Sequence, residues 1–222
     1  MILKIKVRMK SLRNFCNKLK IKDILYYGFI LQFFIIILSG YALADNLKKS
    51  NFVIQEMIQK AKEHAIDTAK LDAHEKSLKI SLLIKKYINL NFMAKATTGS
   101  FWKKATNLQK ERYKTALLNQ IVETVEGHLN TLSTLNYKPI NSELRGTKLV
   151  YIRGKIQDPE NNKPPVNILW KLGSTVGGSF LVLDLEIEGV SLVSSHKAET
   201  MSILRKNRGN FEILLNKHNK KK

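Results

Sequence analysis

The chain has 222 residues, with 38 Lys and Arg against 18 Asp and Glu and a formal net charge of +20. This length sets a bound of one ordinary domain, or one and a half, and a single cysteine excludes an internal disulfide framework. The Lys-rich, Arg-poor balance with abundant Asn and Ile fits an AT-rich genome as well as it fits binding to nucleic acid or an anionic membrane, so charge alone assigns no function.

The first 23 residues carry eight Lys or Arg and one acid, Asp23, and Ile24 to Leu38 is apolar apart from Gly28 and Gln32. Ala42 and Ala44 then occupy the small-residue positions of an A-x-A cleavage site. The pattern predicts a secretory signal peptide over residues 1–44, cut after Ala44, and hence a bacterial periplasmic protein. The alternative is an uncleaved membrane anchor, but the apolar run falls short of the roughly 20 residues a spanning helix needs. A translation start at Met9 would leave a basic head of ordinary length. Cys16 lies inside the removed segment, so residues 45–222 hold no cysteine for a disulfide or a lipid anchor. Export argues against nucleic acid as a partner. The chain is expected to be a monomer, with the basic tail from Lys217 to Lys222 solvated.

Phe52, Val53, Met57, Ile58, Ala61, Ala65, Ile66 and Ala69 recur at helical spacing and predict an amphipathic helix. A second helix is expected from about Glu75 to Ile88, with Leu78, Leu82, Leu83 and Tyr87 inward, and a third from about Leu90 to a stop near Gly99. Residues 45–105 can form a helical lobe of their own. Thr106 and Gln109 match a capping box, and Tyr113, Leu117, Ile121, Val125 and Leu129 follow at four-residue steps, which predicts one long helix.

Beyond Leu135 the hydrophobic period changes to two. A short strand is expected at Asn136 to Ile140. One within Thr147 to Asp158 groups Val150, Ile152, Gly154 and Ile156, and Val166 to Leu172 groups Val166, Ile168, Trp170 and Leu172. Phe180 to Ile187 sets Leu181, Leu183, Leu185 and Ile187 against Asp184 and Glu186. Ser194 or Ser195 is the expected cap of a closing helix, broken at Gly209 and followed by a last turn or two with Phe211, Leu214 and Leu215. The class is α+β: N-terminal helices, an antiparallel meander of about four strands, and a C-terminal helix.

Ser191, Ser194, Ser195, His196 and Asp184 hold the residue types of a hydrolase, yet no Gly-x-Ser-x-Gly elbow surrounds them. Ser194 and Lys197 form a Ser-x-x-Lys pair without the companion motifs of that enzyme class. His64, Asp67, Asp72, His74 and Glu75 lack metal-site spacing and read as a solvated polar face. The expectation is therefore a protein with no catalytic residue, metal ion or cofactor. What remains is an apolar excess in Trp102, Phe101, Tyr113, Trp170 and the Leu/Ile stripes. It either fills a core or lines a cavity between the long helix and the sheet.

The segments GSFWKKATNLQKERY, DPENNKPPVNILWKL and FLVLDLEIEGVSLVSSHKAETMSILRKNRG, behind a signal peptide, make this chain resemble the periplasmic phospholipid-binding, MlaC-like proteins of the Mla pathway, the toluene-tolerance family. The likeness is most specific at Asp184, Glu188, Gly189, Val190 and Ser191 and at Leu204, Arg205 and Gly209, with Trp102, Ala105 and Thr106 matching a family step. Asn89 stands where the family often has an acid, and Phe180 where it often has Trp.

The resemblance implies a lipid shuttle that helps maintain outer-membrane lipid asymmetry. It would hold a glycerophospholipid cargo by its acyl chains. It would pass that cargo between an outer-membrane lipoprotein-porin complex and an inner-membrane ABC transporter complex with a ring of lipid-binding domains. Lining residues are then expected among Trp102, Tyr113, Leu117, Ile121, Val125, Ile152, Ile168, Trp170, Leu183 and Val190, with lysines near the mouth favouring an anionic head group. A lining side chain should not face solvent. The alternatives are a carrier of hopanoid-associated or other apolar lipid, a non-catalytic adaptor of an envelope complex and, third, a lipid hydrolase.

Overall fold

The computed structural model describes residues 45–67, 71–128, 134–159 and 164–219. The expected signal peptide and its cleavage site, and the Leu129 end of the long stripe, lie outside the described residues. Asn46–Lys222 groups as one unit, and among the described residues no helix is long and apolar enough to cross a membrane.

Among the described residues, six helices and a five-stranded sheet follow one another in the order the sequence predicts. Helix α1 covers residues 45–67. Helix α2 (Ala73–Tyr87) starts at Asp72, whose carboxylate accepts the Glu75 N–H at 2.8 Å, and α3 (Leu90–Thr98) starts at Asn89, whose side chain accepts the Phe92 N–H at 2.9 Å. Each cap satisfies a backbone donor that the first helical turn leaves unpaired. A 3-10 turn, Gly99–Lys103, leads to α4 (Asn107–Glu126). Both bonds of the predicted capping box form there: the Gln109 N–H donates to Thr106 Oγ1 at 3.2 Å, and Gln109 Oε1 accepts the Thr106 N–H at 3.0 Å.

The sheet is an antiparallel meander in spatial order β1 to β5: β1 (Asn136–Arg145), β2 (Leu149–Gln157), β3 (Val166–Ser174), β4 (Phe180–Ile187) and β5 (Val190–Ser191). β1 runs five residues past its predicted end at Ile140, and β5 is an addition to the predicted four strands. The β4–β5 turn places Glu188 at φ 49° and Gly189 at φ 78°. Glycine reaches that region freely. Glu188 is held there by donating its N–H to the Asn167 carbonyl at 3.0 Å while its carboxylate accepts the Asn167 N–H. Helices α5 (Leu192–Lys206) and α6 (Phe211–Asn219) close the chain.

Alternation along β2 and β3 behaves as predicted. Val150, Ile152, Ile168, Trp170 and Leu172 share one buried face, with Ile152 opposite Trp170 and Val150 opposite Leu172. β4 departs from it. Lys171 pairs with Asp184 but Leu172 pairs with Val182, so Leu183 is an extra residue. Such a bulge shifts the strand's side-chain phase. Phe180, Val182 and Leu185 join the Trp170 face, whereas Leu183 stands over Gly173 on the other side. The expectation of one continuous face from Leu181 to Ile187 is corrected accordingly.

Two helix faces also differ from prediction. In α1 the predicted Val53, Met57 and Ile58 do pack against the sheet cluster, joined by the unpredicted Ile54, 1% exposed, while the predicted Phe52 and Ile66 are exposed. In α2 the buried residues are Ile80, Ile84 and Tyr87, while Leu78 and Leu82 face solvent. Both helices carry apolar residues on more than one face, so spacing alone permits two phases and packing selects one.

Candidate functional site

The apolar interior divides into three clusters. The first joins α3 to α6 through Ala94, Tyr113, Leu117, Ile203, Leu204, Phe211, Leu214 and Leu215, with Phe101 and Trp102 against it. The second sets Ile54, with Leu47, Val53, Met57 and Ile58 of α1, on the inner face of the sheet. The third packs Ile80 and Ile84 of α2 on Leu118 and Val122 of α4.

The ten expected lining residues are distributed over these clusters. Trp102, Tyr113 and Leu117 lie together in the helical cluster, Ile121 touches both helical clusters, and Val125 belongs to the third. Ile152, Ile168 and Trp170 meet on the sheet's inner face, and Leu183 is buried on the opposite face. Val190 departs from the expectation of a shielded side chain: it is 59% exposed, because the two-residue β5 leaves it beside the turn. The long helix and the sheet therefore do not bring all ten residues to one cavity.

The sheet's inner face is an apolar surface with polar atoms built into it. Tyr137 of β1 lays its ring across Gly154 of β2, where an added Cβ would sit 2.7 Å from the hydroxyl. Only glycine admits the ring there. Beyond each other, the Tyr137 hydroxyl and the Trp170 indole N–H, both buried on this face, have no hydrogen-bond partner. Burial pushes the Tyr137 phenol up to about 12, with the neighbouring Trp170 indole acting in the opposite direction. Sequence reading missed Tyr137, Ile54 and Val182, and it noted Phe180 only as standing at a family Trp position. A glycine inside a strand otherwise rich in large side chains was the available signal for a close approach at Gly154.

On the other sheet face, Asp184 is 6% exposed and accepts three hydrogen bonds: from Lys171 Nζ at 3.0 Å, the Ser191 hydroxyl at 2.7 Å and the Val193 N–H at 3.1 Å. Lys171 also pairs with Glu186. Burial lowers the Lys171 pKa, but the two carboxylates outweigh it and the ammonium ends above its ordinary value. Ser191 Oγ in turn accepts the Ser194 N–H at 3.0 Å, so Ser191 caps α5. This corrects the expected cap at Ser194 or Ser195. The proton of the Ser191 hydroxyl goes to a carboxylate and its lone pair to a helix start, an arrangement that anchors α5 to β4.

Of the residues weighed as metal ligands, Asp72 caps α2 and His64 Nδ1 lies 2.9 Å from the Lys60 carbonyl. Among the described residues no group of three or more His, Cys, Asp or Glu could hold a metal ion. A cleft of about 390 Å³ opens between α1 and α2, with Leu82, Leu83 and Tyr87 beside Lys60, His64, Asp67, Lys79 and Lys86. The Lys60 and Lys86 ammoniums pair with Glu63 at 2.6 Å and Glu56 at 2.9 Å.

A family model described as MlaC protein matches residues 51–220, most of the chain. The chain belongs to the MlaC family. Its α+β order of helices, antiparallel meander and closing helices is also similar to a solved structure, a phospholipid-binding protein from Ralstonia solanacearum in complex with a phospholipid. The two share 17% identity, with a TM-score of 0.65 over 78% of this chain and 94% of that one. At that identity the likeness establishes the fold.

Proposed function

We propose that this MlaC-family chain is a periplasmic phospholipid carrier that shelters acyl chains from water and moves them between the outer and inner membranes. The observation that carries this reading is the family match over residues 51–220. The phospholipid bound by the Ralstonia relative supports it, as does the broad apolar face formed by Ile152, Ile168 and Trp170 beneath α1. Two acyl chains of about 15 methylenes, at about 0.8 kcal/mol each, lose on the order of 24 kcal/mol in water. Unescorted crossing of an aqueous compartment is correspondingly rare.

Ile152, Ile168 and Trp170 form the floor of the site in this reading. Acyl chains lying along them replace the contacts now made by Ile54, Met57 and Ile58. A face of Ile, Val, Leu and Trp is about as apolar as a bilayer interior, so transfer of the acyl chains between the two is nearly even in free energy and its direction is set by the membrane partners. Those are an inner-membrane ABC transporter complex with lipid-binding ring domains and an outer-membrane lipoprotein-porin complex. The commitment of Ser191 to Asp184 and to the α5 start supports binding over catalysis.

The test is lipid analysis of the protein purified from cells without added lipid. Mass spectrometry is expected to find about one glycerophospholipid per chain. Protein that carries no lipid, and takes up none from vesicles, would overturn the reading. A polycyclic lipid in place of the phospholipid would support the hopanoid-type carrier.

A further inference from the structure

We infer that Tyr137 and Trp170 form a recognition point for an ester carbonyl of the cargo, an inference that rests on the carrier reading above. Trp170 is 9% exposed and stands on the sheet's inner face, where its indole N–H has no acceptor other than the Tyr137 oxygen. The Tyr137 hydroxyl is buried beside it, with no acceptor for its hydrogen, and the bare backbone of Gly154 lets the ring approach the sheet closely.

The two groups together own two polar hydrogens, and the only acceptor they bring is the phenol oxygen. Even a perfect bond from the indole to that oxygen leaves the phenol hydrogen over. Burial keeps the phenol protonated across the physiological range. A surplus donor in a dry apolar setting is costly unless something arrives to accept from it.

The chemistry of that acceptor is narrow. A carboxylate or phosphate would have to leave water for a face built from Val150, Ile152, Ile168 and Leu172. A hydrocarbon or polycyclic skeleton without an acceptor would leave the donor unmet. An ester carbonyl brings strong acceptor lone pairs, no hydrogen and no net charge, and it enters attached to the acyl chains the apolar face accommodates.

The experiment equilibrates the purified protein with vesicles containing equal amounts of dipalmitoyl phosphatidylglycerol and its di-O-hexadecyl ether analogue. The protein is then recovered free of vesicles and its retained lipid quantified by mass spectrometry. The unaltered protein is expected to retain the diester over the diether by about three- to tenfold, the worth of one neutral hydrogen bond. Tyr137→Phe keeps the ring over Gly154 and is expected to bring the ratio to within about twofold of unity. Trp170→Phe is expected to lower it as well.

Equal retention of both lipids by the unaltered protein, or a preference that survives both substitutions, overturns this inference and leaves the carrier reading standing. Retention of neither lipid overturns both. The first comparison needs no substitution, so a variant that fails to fold cannot conceal the answer.

Discussion

The three buried hydroxyls of Thr97, Tyr113 and Thr200 show how far a single side chain can be reasoned out. Thr97 Oγ1 donates its one hydrogen to the Met93 carbonyl at 2.9 Å, with a longer approach to Ala94. It must therefore accept from Tyr113, 3.0 Å away, and Tyr113 must accept from Thr200 at 3.2 Å. The relay links α3, α4 and α5 and ends on backbone. Tyr113→Phe removes its middle and leaves the Thr200 hydrogen without that acceptor, at an expected cost of about 1–3 kcal/mol. Urea unfolding with an unchanged m-value is the check. Tyr113 was legible in the sequence as an inward residue of α4, but its partners were not, because threonines 16 residues before it and 87 after it announce nothing by their spacing. The cap of α5 was partly legible for a related reason. Ser191, Ser194 and Ser195 are chemically equal candidates, and only the Asp184 carboxylate on the adjacent strand selects Ser191.

Among the elements, the capping box of α4 and the alternation of β2 and β3 could be read directly because each rests on local chemistry at fixed offsets. The phase of α1 could be read only in part: Val53, Met57 and Ile58 pack on the sheet as expected, but Phe52 was read inward and Ile54 was not. Phe52 and Ile54 lie on different faces of the helix and are comparably apolar, and the sheet surface that chooses between them comes from residues about a hundred positions later. The substitutions Ile54→Ala and Phe52→Ala separate the two phases. The first should cost about 2–5 kcal/mol by opening a cavity in the sheet cluster. The second, at a side chain 64% exposed, should stay within about 0.5 kcal/mol of the parent. Paired chemical denaturation curves decide it, and equal losses would mean that α1 does not dock through Ile54. The bulge at Leu183 was equally hidden. An inserted residue keeps the composition of a strand while changing which side its neighbours face, and that is why Leu183 and Trp170 ended on opposite sides of the sheet.

Several carboxylates held in their charged form set the response of the whole molecule to acid. Glu56, beside the Lys86 ammonium, and Glu212, beside the Arg112 guanidinium, are both held below the ordinary carboxylate value of 4.5. The Asn167 backbone N–H does the same for Glu188. A carboxyl whose folded pKa is depressed contributes stability above its unfolded pKa and loses it as pH falls through the folded one. The melting temperature is expected to be flat from about pH 7 to 5 and to decline below about pH 4.5. The decline should be smaller at high salt, since these carboxylates are exposed and their pairs screened. Thermal melts across that range at two ionic strengths test it, and a protein that melts at one temperature throughout would contradict it.

Pro139 sits in β1, an outermost strand of the sheet, and limits how that edge can associate. The side of β1 turned away from β2 is a row of backbone groups on which another extended chain could template itself, the first step toward fibrils. Pro139 offers no N–H to such a visitor, the register slips between Pro139 and Asn141, and Lys138 adds a charge next to the slip. An incoming strand finds an interrupted ladder, and the sheet stops growing at β1.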